Sequence, residues 1–255
     1  MFTTIRYVLL AALRDRIFPV LIAGMVLSGL IAGALAGTSL VEEQAMTLSF
    51  SAGVARLVLA IGMVVFVAFH MRYAFDNKEV DVMLSRPISR PQLVLGYWMS
   101  FAVIATLLAA AATALMAFLE PQNMVGFMHW GISLMLELWL IASLVLFTSL
   151  MLSSAVVSVM VSLGIYVLAR MMGYFLATIK SGLLFRDADL SEAARQTIDK
   201  IAAFIPRLDF FASSEWLIYG IPAAGNAASL YLLQAVIFIP LLLLAATVDF
   251  KKREF

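Results

Sequence analysis

The chain of 255 residues contains no cysteine, and charged residues make up only 13% of it. The absence of cysteine excludes disulfides, thiolate nucleophiles and cysteine-ligated metal sites. The sequence has two histidines and no paired histidine or carboxylate metal motif. We therefore expect no catalytic residue, metal site or cofactor site on this chain. The formal net charge of +1 gives no indication of a nucleic-acid partner, and we expect none.

Apolar residues are what the chain has in abundance. They make up 64% of the sequence, and the mean hydropathy is +1.02. Apolar runs longer than about 18 residues are typical of membrane spans. The length suits one transmembrane domain over residues 1–255 and leaves little room for a soluble one.

Hydropathy predicts six spans in an all-α, polytopic membrane protein. Residues 127–169 are too long for a single span, because 43 helical residues would extend about 64 Å across a hydrocarbon core of about 30 Å. Ser153 and Ser154 mark the predicted turn between two spans, and Pro240 predicts a kink in the last span. The predicted spans are about 17–37, 51–71, 93–118, 127–150, 154–176 and 228–248.

The distribution of lysine and arginine predicts that both termini lie in the cytoplasm. Ten basic residues fall on the side of the termini, and five fall in an outer segment at about 177–227. A cleaved signal peptide is the alternative at the N-terminus, although its apolar run is longer than the about 7–15 residues of such peptides.

The outer segment is predicted to be helical. Residues 189–206 read as an amphipathic helix that Asp189 caps and Pro206 ends. Residues 208–220 are aromatic, and we expect Trp216 and Tyr219 to lie at headgroup level. The segment is either a packing lid over the spans or a part of the transport path.

Residues 72–92 carry seven charges between two apolar runs. They predict a short cytoplasmic helix over about 76–85, with Asp76 as its N-cap and an apolar patch formed by Val80, Met83 and Leu84. Pro87 ends this helix. Ser89 and Gln92 form a capping box that opens the third span. An ordinary solvated loop is the alternative.

Three ionisable residues fall inside the predicted spans, namely Arg56, Glu137 and Arg170. Such residues are costly in a bilayer and often functional. Glu137 could pair with either arginine. The pair would line a transport path or fix the packing of the helices.

The segment FDNKEVDVMLSRPISRPQLVLGYWMSF resembles the region before the third span of type-2 ATP-binding-cassette (ABC) permeases. The resemblance extends to the rest of the chain through its six spans, a tight turn between the fourth and fifth spans, a long outer segment and the basic tail DFKKREF. A Gly-Thr step that is often found at the start of the short helix in that family is Lys78-Glu79 here.

This resemblance implies the permease subunit of an ABC exporter in a bacterial inner membrane. Two copies of a cytoplasmic ATPase would bind ATP and Mg²⁺, because this chain lacks the phosphate-loop motif, and a second copy or a related permease would complete a dimer. The permease itself would not be an enzyme. The resemblance assigns ATPase coupling to the short helix and its flanks: Asp76, Glu79, Val80, Met83, Leu84, Arg86, Pro87 and Arg90.

Two other classes remain open. A secondary transporter would show internal repeats and broken helices at mid-membrane, and no convincing repeat relates the two halves. An intramembrane serine hydrolase is suggested only superficially by Gly131, Ile132 and Ser133, since Leu134 stands where a further glycine would be needed.

Overall fold

A computed structural model of the chain describes residues 17–36, 43–85, 89–119, 124–180, 205–220 and 227–252, together with Lys200. Within these ranges the regular structure is helical throughout, without strands. A 3₁₀ turn at Leu208–Phe210 precedes the last two helices. The α-helices are α1 (Ile17–Ala36), α2 (Glu43–Asp76), α3 (Glu79–Leu84), α4 (Arg90–Leu119), α5 (Met124–Met151), α6 (Ala155–Lys180), α7 (Glu215–Tyr219) and α8 (Ala227–Lys252).

Five of these helices, α2, α4, α5, α6 and α8, are long and apolar enough to cross a membrane. Helix α1 is shorter, at 20 residues, and equally apolar. The described chain is therefore an all-α bundle with the helices of a multi-pass membrane protein.

Helix α5 forms the centre of the bundle. In its most apolar stretch, 78% of the residues are buried inside the protein, whereas the other four long helices bury between 28% and 50%. It packs against α2, α4, α6 and α8. A polar residue on α5 is therefore shielded from lipid by the surrounding helices.

The two ends of the bundle differ in what they carry. The turn end holds α3 and the break between α5 and α6, which falls at Leu152–Ser154 as Ser153 and Ser154 predict. The opposite end holds residues 205–220 and the opening of a polar cleft, and we call it the cleft end. Arg72 donates a hydrogen bond to the Ser153 carbonyl, which ties α2 to the turn.

The short helix differs from its predicted bounds. It spans Glu79–Leu84 rather than 76–85, because α2 continues through Asp76. The expectation that Asp76 caps the short helix is wrong. Its carboxylate instead pairs with Arg72 one turn earlier, at 2.7 Å, which keeps it in the last turn of α2. Asn77 and Lys78 make the turn, and Lys78 adopts a left-handed conformation with φ 56°.

Residues 205–220 pack into the bundle instead of resting at its surface. Phe211, Ala212 and Trp216 are buried, and Trp216 lies against Tyr231 of α8 with ring centroids 5.8 Å apart. The ring of Trp216 thus fills a space between helices, and the expected depth of Trp216 at headgroup level stays a prediction. Tyr219 is exposed. Helix α6 extends to Lys180, so the outer segment begins later than residue 177. The helix predicted at 189–206 lies almost wholly outside the described residues.

Helix α8 continues through Pro240 without interruption. Proline removes one main-chain donor, so this turn of α8 makes one hydrogen bond fewer. Membrane helices tolerate such a loss when neighbouring helices cover the site.

Candidate functional site

Arg56, Glu137 and Arg170 meet near the cleft end, although they come from three different helices. Arg56 and Glu137 each lie about 3.6 turns from the start of their helices, α2 and α5. Arg170 lies about 2.8 turns before the end of α6. Because α6 runs opposite to α2 and α5, these positions fall at a similar depth.

Of the two arginines that could pair with Glu137, Arg170 forms the ion pair. Its Nη1 atom lies 3.6 Å from Glu137 Oε1. The Glu137 side chain has no exposed surface, whereas that of Arg170 is 20% exposed. Tyr166 donates a hydrogen bond to the same oxygen at 3.3 Å. The other carboxylate oxygen, Oε2, has no hydrogen-bond partner among the described residues.

Main-chain carbonyls of the inserted segment are the remaining partners of the two arginines. Arg170 donates to the carbonyls of Leu208 and Phe211, the latter at 2.9 Å. Arg56 donates to the carbonyl of Ala212 at 2.8 Å. The two arginine side chains therefore anchor the main chain of residues 208–212 to helices α2 and α6. Main-chain acceptors leave no pattern in a sequence, so this role could not be predicted.

Ala212 is fixed from both sides in an uncommon conformation. Its φ of 46° lies in the left-handed region that residues with a Cβ rarely adopt. Its N–H donates to Ser133 Oγ at 2.8 Å, while its carbonyl accepts from Arg56. The surrounding bonds stabilise a backbone that would otherwise cost about 1 kcal/mol or more.

A polar cleft of about 530 Å³ opens above the two arginines. Arg207 and Asp209 form an ion pair of 2.6 Å in its wall. Glu215 lies at the exposed rim. The other lining residues come from α2, α6 and the segment before α7: Ser49, Arg56, Arg170, Gly173, Tyr174, Ala177, Ser213 and Ser214.

A stripe of polar side chains follows α6 from the turn end to this cleft. Its members recur every fourth residue, slightly more than one turn, so neighbouring members lie close together while the stripe as a whole winds around the helix. Ser158 and Ser162 bond across to Ser149 and Thr148 of α5, at 3.3 and 2.8 Å. The repeated spacing is the sequence signal that could have revealed the stripe, which consists of Ser154, Ser158, Ser162, Tyr166, Arg170, Tyr174 and Thr178.

At the turn end, the apolar residues of α3 differ in how far they are buried. Val80 is 1% exposed and belongs to the core, and Met83 packs against Tyr97, whose hydroxyl lies 3.8 Å from the Met83 sulfur. Val82, on the opposite face, is 60% exposed. The predicted patch of Val80 and Met83 therefore faces this chain's own helices. The side chain of Leu84, and the whole of Arg86 and Pro87, lie outside the described residues.

Arg90 forms its contacts with helix α8 of the same chain. It donates to the carbonyls of Phe250 and Lys251 in the last turn of α8, at 2.9 and 3.0 Å, and its guanidinium lies over the Phe250 ring. Gln92 accepts a hydrogen bond from the Ser89 N–H at 3.1 Å, which is the glutamine half of the expected capping box. Arg90 thus joins the start of α4 to the end of α8.

Within the part of the chain that the structure describes, no group of three or more His, Asp or Glu side chains could hold a metal ion. Comparison with protein-family models and with curated proteins gives no match. The functional reading of the chain therefore rests on its own residues.

Proposed function

We propose that the chain is the permease subunit of an ABC transporter. In this proposal six helices, α1 among them, cross the membrane, and both termini lie in the cytoplasm. Two permease copies, or one and a related chain, work with two copies of an ATPase that binds ATP and Mg²⁺. The observation that carries the proposal is the position of the short helix α3, which lies in the chain between the long apolar helices α2 and α4 and packs against them.

Helix α3 is joined to α2 by a short and well-bonded turn. Two residues, Asn77 and Lys78, separate it from α2, and four hydrogen bonds tie this turn to the helices on either side: Asn77 N–H and Asn77 Nδ2 to the Tyr73 carbonyl, Lys78 N–H to the Phe75 carbonyl and Val82 N–H to the Lys78 carbonyl. On the other side, α4 begins under the Ser89–Gln92 cap. A force on α3 would therefore reach α2 through this turn and α4 through the contact of Met83 with Tyr97, as a coupling helix requires.

The conformation of Lys78 also supports the family resemblance. The resembled permeases often have glycine at the start of this helix. Lys78 occupies that step with φ 56°, in the region that favours glycine. A glycine would adopt this conformation without strain, so the turn is compatible with the resemblance even though the residue differs.

Charge supports the proposed orientation. Five basic residues lie at the turn end: Arg72, Lys78, Arg90, Lys251 and Lys252. Basic residues concentrate on the cytoplasmic side of membrane proteins. We therefore place α3 in the cytoplasm and the cleft on the outer side. An outward polar cleft suits the release of an exported substrate.

The docking face on α3 would be the exposed one, centred on Val82. Val82→Asp should leave the bundle folded but abolish ATP hydrolysis by the complex purified with its ATPase. Val80→Asp, two residues away, places a charge in the core and should instead destabilise the chain by about 3 kcal/mol or more. Lys252→Asp, exposed at the same end on α8, is the matched surface control.

The measurement is Mg²⁺-dependent ATP hydrolysis by the complex in uncharged detergent, beside the yield of folded permease. Loss of hydrolysis in Val82→Asp alone supports the proposal. Equal hydrolysis in the Val82→Asp, Lys252→Asp and unmodified complexes, or no ATPase bound to the chain, contradicts it.

A secondary transporter is the second candidate, favoured by the buried Glu137–Arg170 pair. Ion pairs at this depth occur in proton- and ion-coupled carriers. Transport by the chain alone in vesicles, driven by an imposed pH or sodium gradient without ATP, would favour this class over the first.

A further inference from the structure

The floor of the outer cleft combines two cations with one anion. Arg56 and Arg170 both line it, and Glu137 lies beneath them without exposed surface. These three residues sum to one positive charge. The remaining charged groups in the lining are Arg207 and Asp209, which neutralise each other at 2.6 Å, and Glu215 at the exposed rim.

Arg56 forms no direct salt bridge among the described residues, although the Glu137 carboxylate attracts it from a longer distance. Its single hydrogen bond goes to the Ala212 carbonyl through Nη1, and its buried Nε atom has no partner there. A guanidinium has five N–H donors arranged to grip planar or tetrahedral anions. Most of the donor capacity of Arg56 is therefore unused, although its side chain lines the cleft.

An excess cation below the membrane surface is costly when nothing balances it. The fixed partners in the floor are neutral carbonyls and one carboxylate, Glu137, whose single charge is shared between two arginines and therefore offsets only part of this cost. Glu215 lies in water at the rim, where its charge is screened. A small anion in the cleft would supply the missing charge and accept from the guanidinium N–H groups that reach the cleft.

We propose that the cleft floor is a binding site for a compact monoanionic group, a phosphate or a carboxylate, gripped by Arg56 and Arg170. The volume of about 530 Å³ admits a phospholipid headgroup or a small soluble anion. The site stands on cleft geometry alone and does not depend on an ATPase partner. Under the export proposal it would define the class of substrate as anionic.

The test measures anion binding by the full-length chain in uncharged detergent micelles. Sodium phosphate should raise its unfolding midpoint with a saturable dose dependence, and sodium chloride at equal ionic strength should not. Arg56→Gln keeps a donor for the Ala212 carbonyl but removes the charge. We expect it to weaken phosphate binding about tenfold or more, since it removes a charge-assisted contact.

Two further variants keep the result interpretable if Arg56→Gln folds poorly. Ser49→Asp adds a carboxylate to the cleft about two turns from Arg56 on the same face of α2, and should also weaken phosphate binding. Arg72→Gln removes an arginine of α2 at the turn end that also bonds a main-chain carbonyl, and should leave binding within about twofold of the original.

A second probe separates the two sources of the anion. The chain is incubated with phosphatidylglycerol vesicles and repurified, and the retained lipid is quantified by mass spectrometry. Retention that inorganic phosphate and Ser49→Asp both reduce identifies a lipid headgroup, and phosphate binding without retained lipid identifies a soluble anion. The proposal is overturned if chloride acts like phosphate and no variant changes lipid retention, or if Arg72→Gln weakens binding as much as Arg56→Gln.

Discussion

Replacing Arg170 by methionine should expose the cost of the buried charge beside it. The change leaves the carboxylate of Glu137 without a cation in direct contact and with no exposed surface. A buried charge that loses its partner costs about 3–5 kcal/mol. The carbonyls of Leu208 and Phe211 also lose a donor, at about 1 kcal/mol each. Because Arg170 is 20% exposed and Arg56 still attracts Glu137, water and Arg56 together replace part of this loss, and we expect a destabilisation of about 4–6 kcal/mol.

Neutralising Glu137 in the same background should then restore stability. Glu137→Gln keeps an oxygen for Tyr166 and removes the unpaired charge, so the double variant should regain about 2–3 kcal/mol over Arg170→Met alone. The exposed pair Arg72–Asp76 is the matched control. Its side chains are 43% and 55% exposed, and we expect a coupling of about 0.3–0.5 kcal/mol.

Denaturant unfolding in uncharged micelles gives these free energies, and hydrogen exchange reports on the inserted segment. Peptides that cover residues 205–220 should exchange faster in Arg170→Met, because that segment loses its anchor. A double variant no more stable than Arg170→Met, or unchanged exchange in this segment, would refute the reasoning.

Three shorter predictions concern other positions. Gly131→Ala should destabilise the bundle by about 1–3 kcal/mol, since its new methyl group would collide with the stiff side chain of Thr113, whereas Gly164→Ala meets nothing within 4 Å and should be neutral or mildly stabilising in the same unfolding assay. Arg90→Gln should cost about 1–2 kcal/mol and speed hydrogen exchange in the last turn of α8, and unchanged exchange there would argue against the capping role. Glu215→Gln should tighten phosphate binding by about twofold at most, because the repelling charge that it removes from the cleft rim is screened by water, and weaker phosphate binding in the titration would contradict this.

The helical class and the positions of the helices could be predicted because both depend on local sequence. Long apolar runs and the break at Ser153 and Ser154 are visible without any tertiary contact. Helix ends were less predictable. Asp76 has the side chain of an N-cap, yet a salt bridge to Arg72 keeps it helical. A bond between neighbouring turns thus overrides a local capping preference.

The candidate site was only partly visible. The cost of a charge in a membrane singles out Arg56, Glu137 and Arg170 directly. The segment that covers them could not be foreseen, because its aromatic residues suit an interface as well as a helix bundle. Trp216 shows the ambiguity, since the same indole ring serves at a headgroup or in a core. Burial was decided by contacts with α8, far along the chain.

The stripe of polar residues on α6, spaced four residues apart, restricts how that helix can move against α5. A small slide would separate Ser158 from Ser149 and Ser162 from Thr148 at once, which breaks both of these hydroxyl contacts between the two helices. The next polar residue of the stripe lies four residues along, so bringing it opposite the same partner requires a slide of about 6 Å together with a rotation of about 40°. These hydrogen bonds therefore hold α6 in its present register against α5.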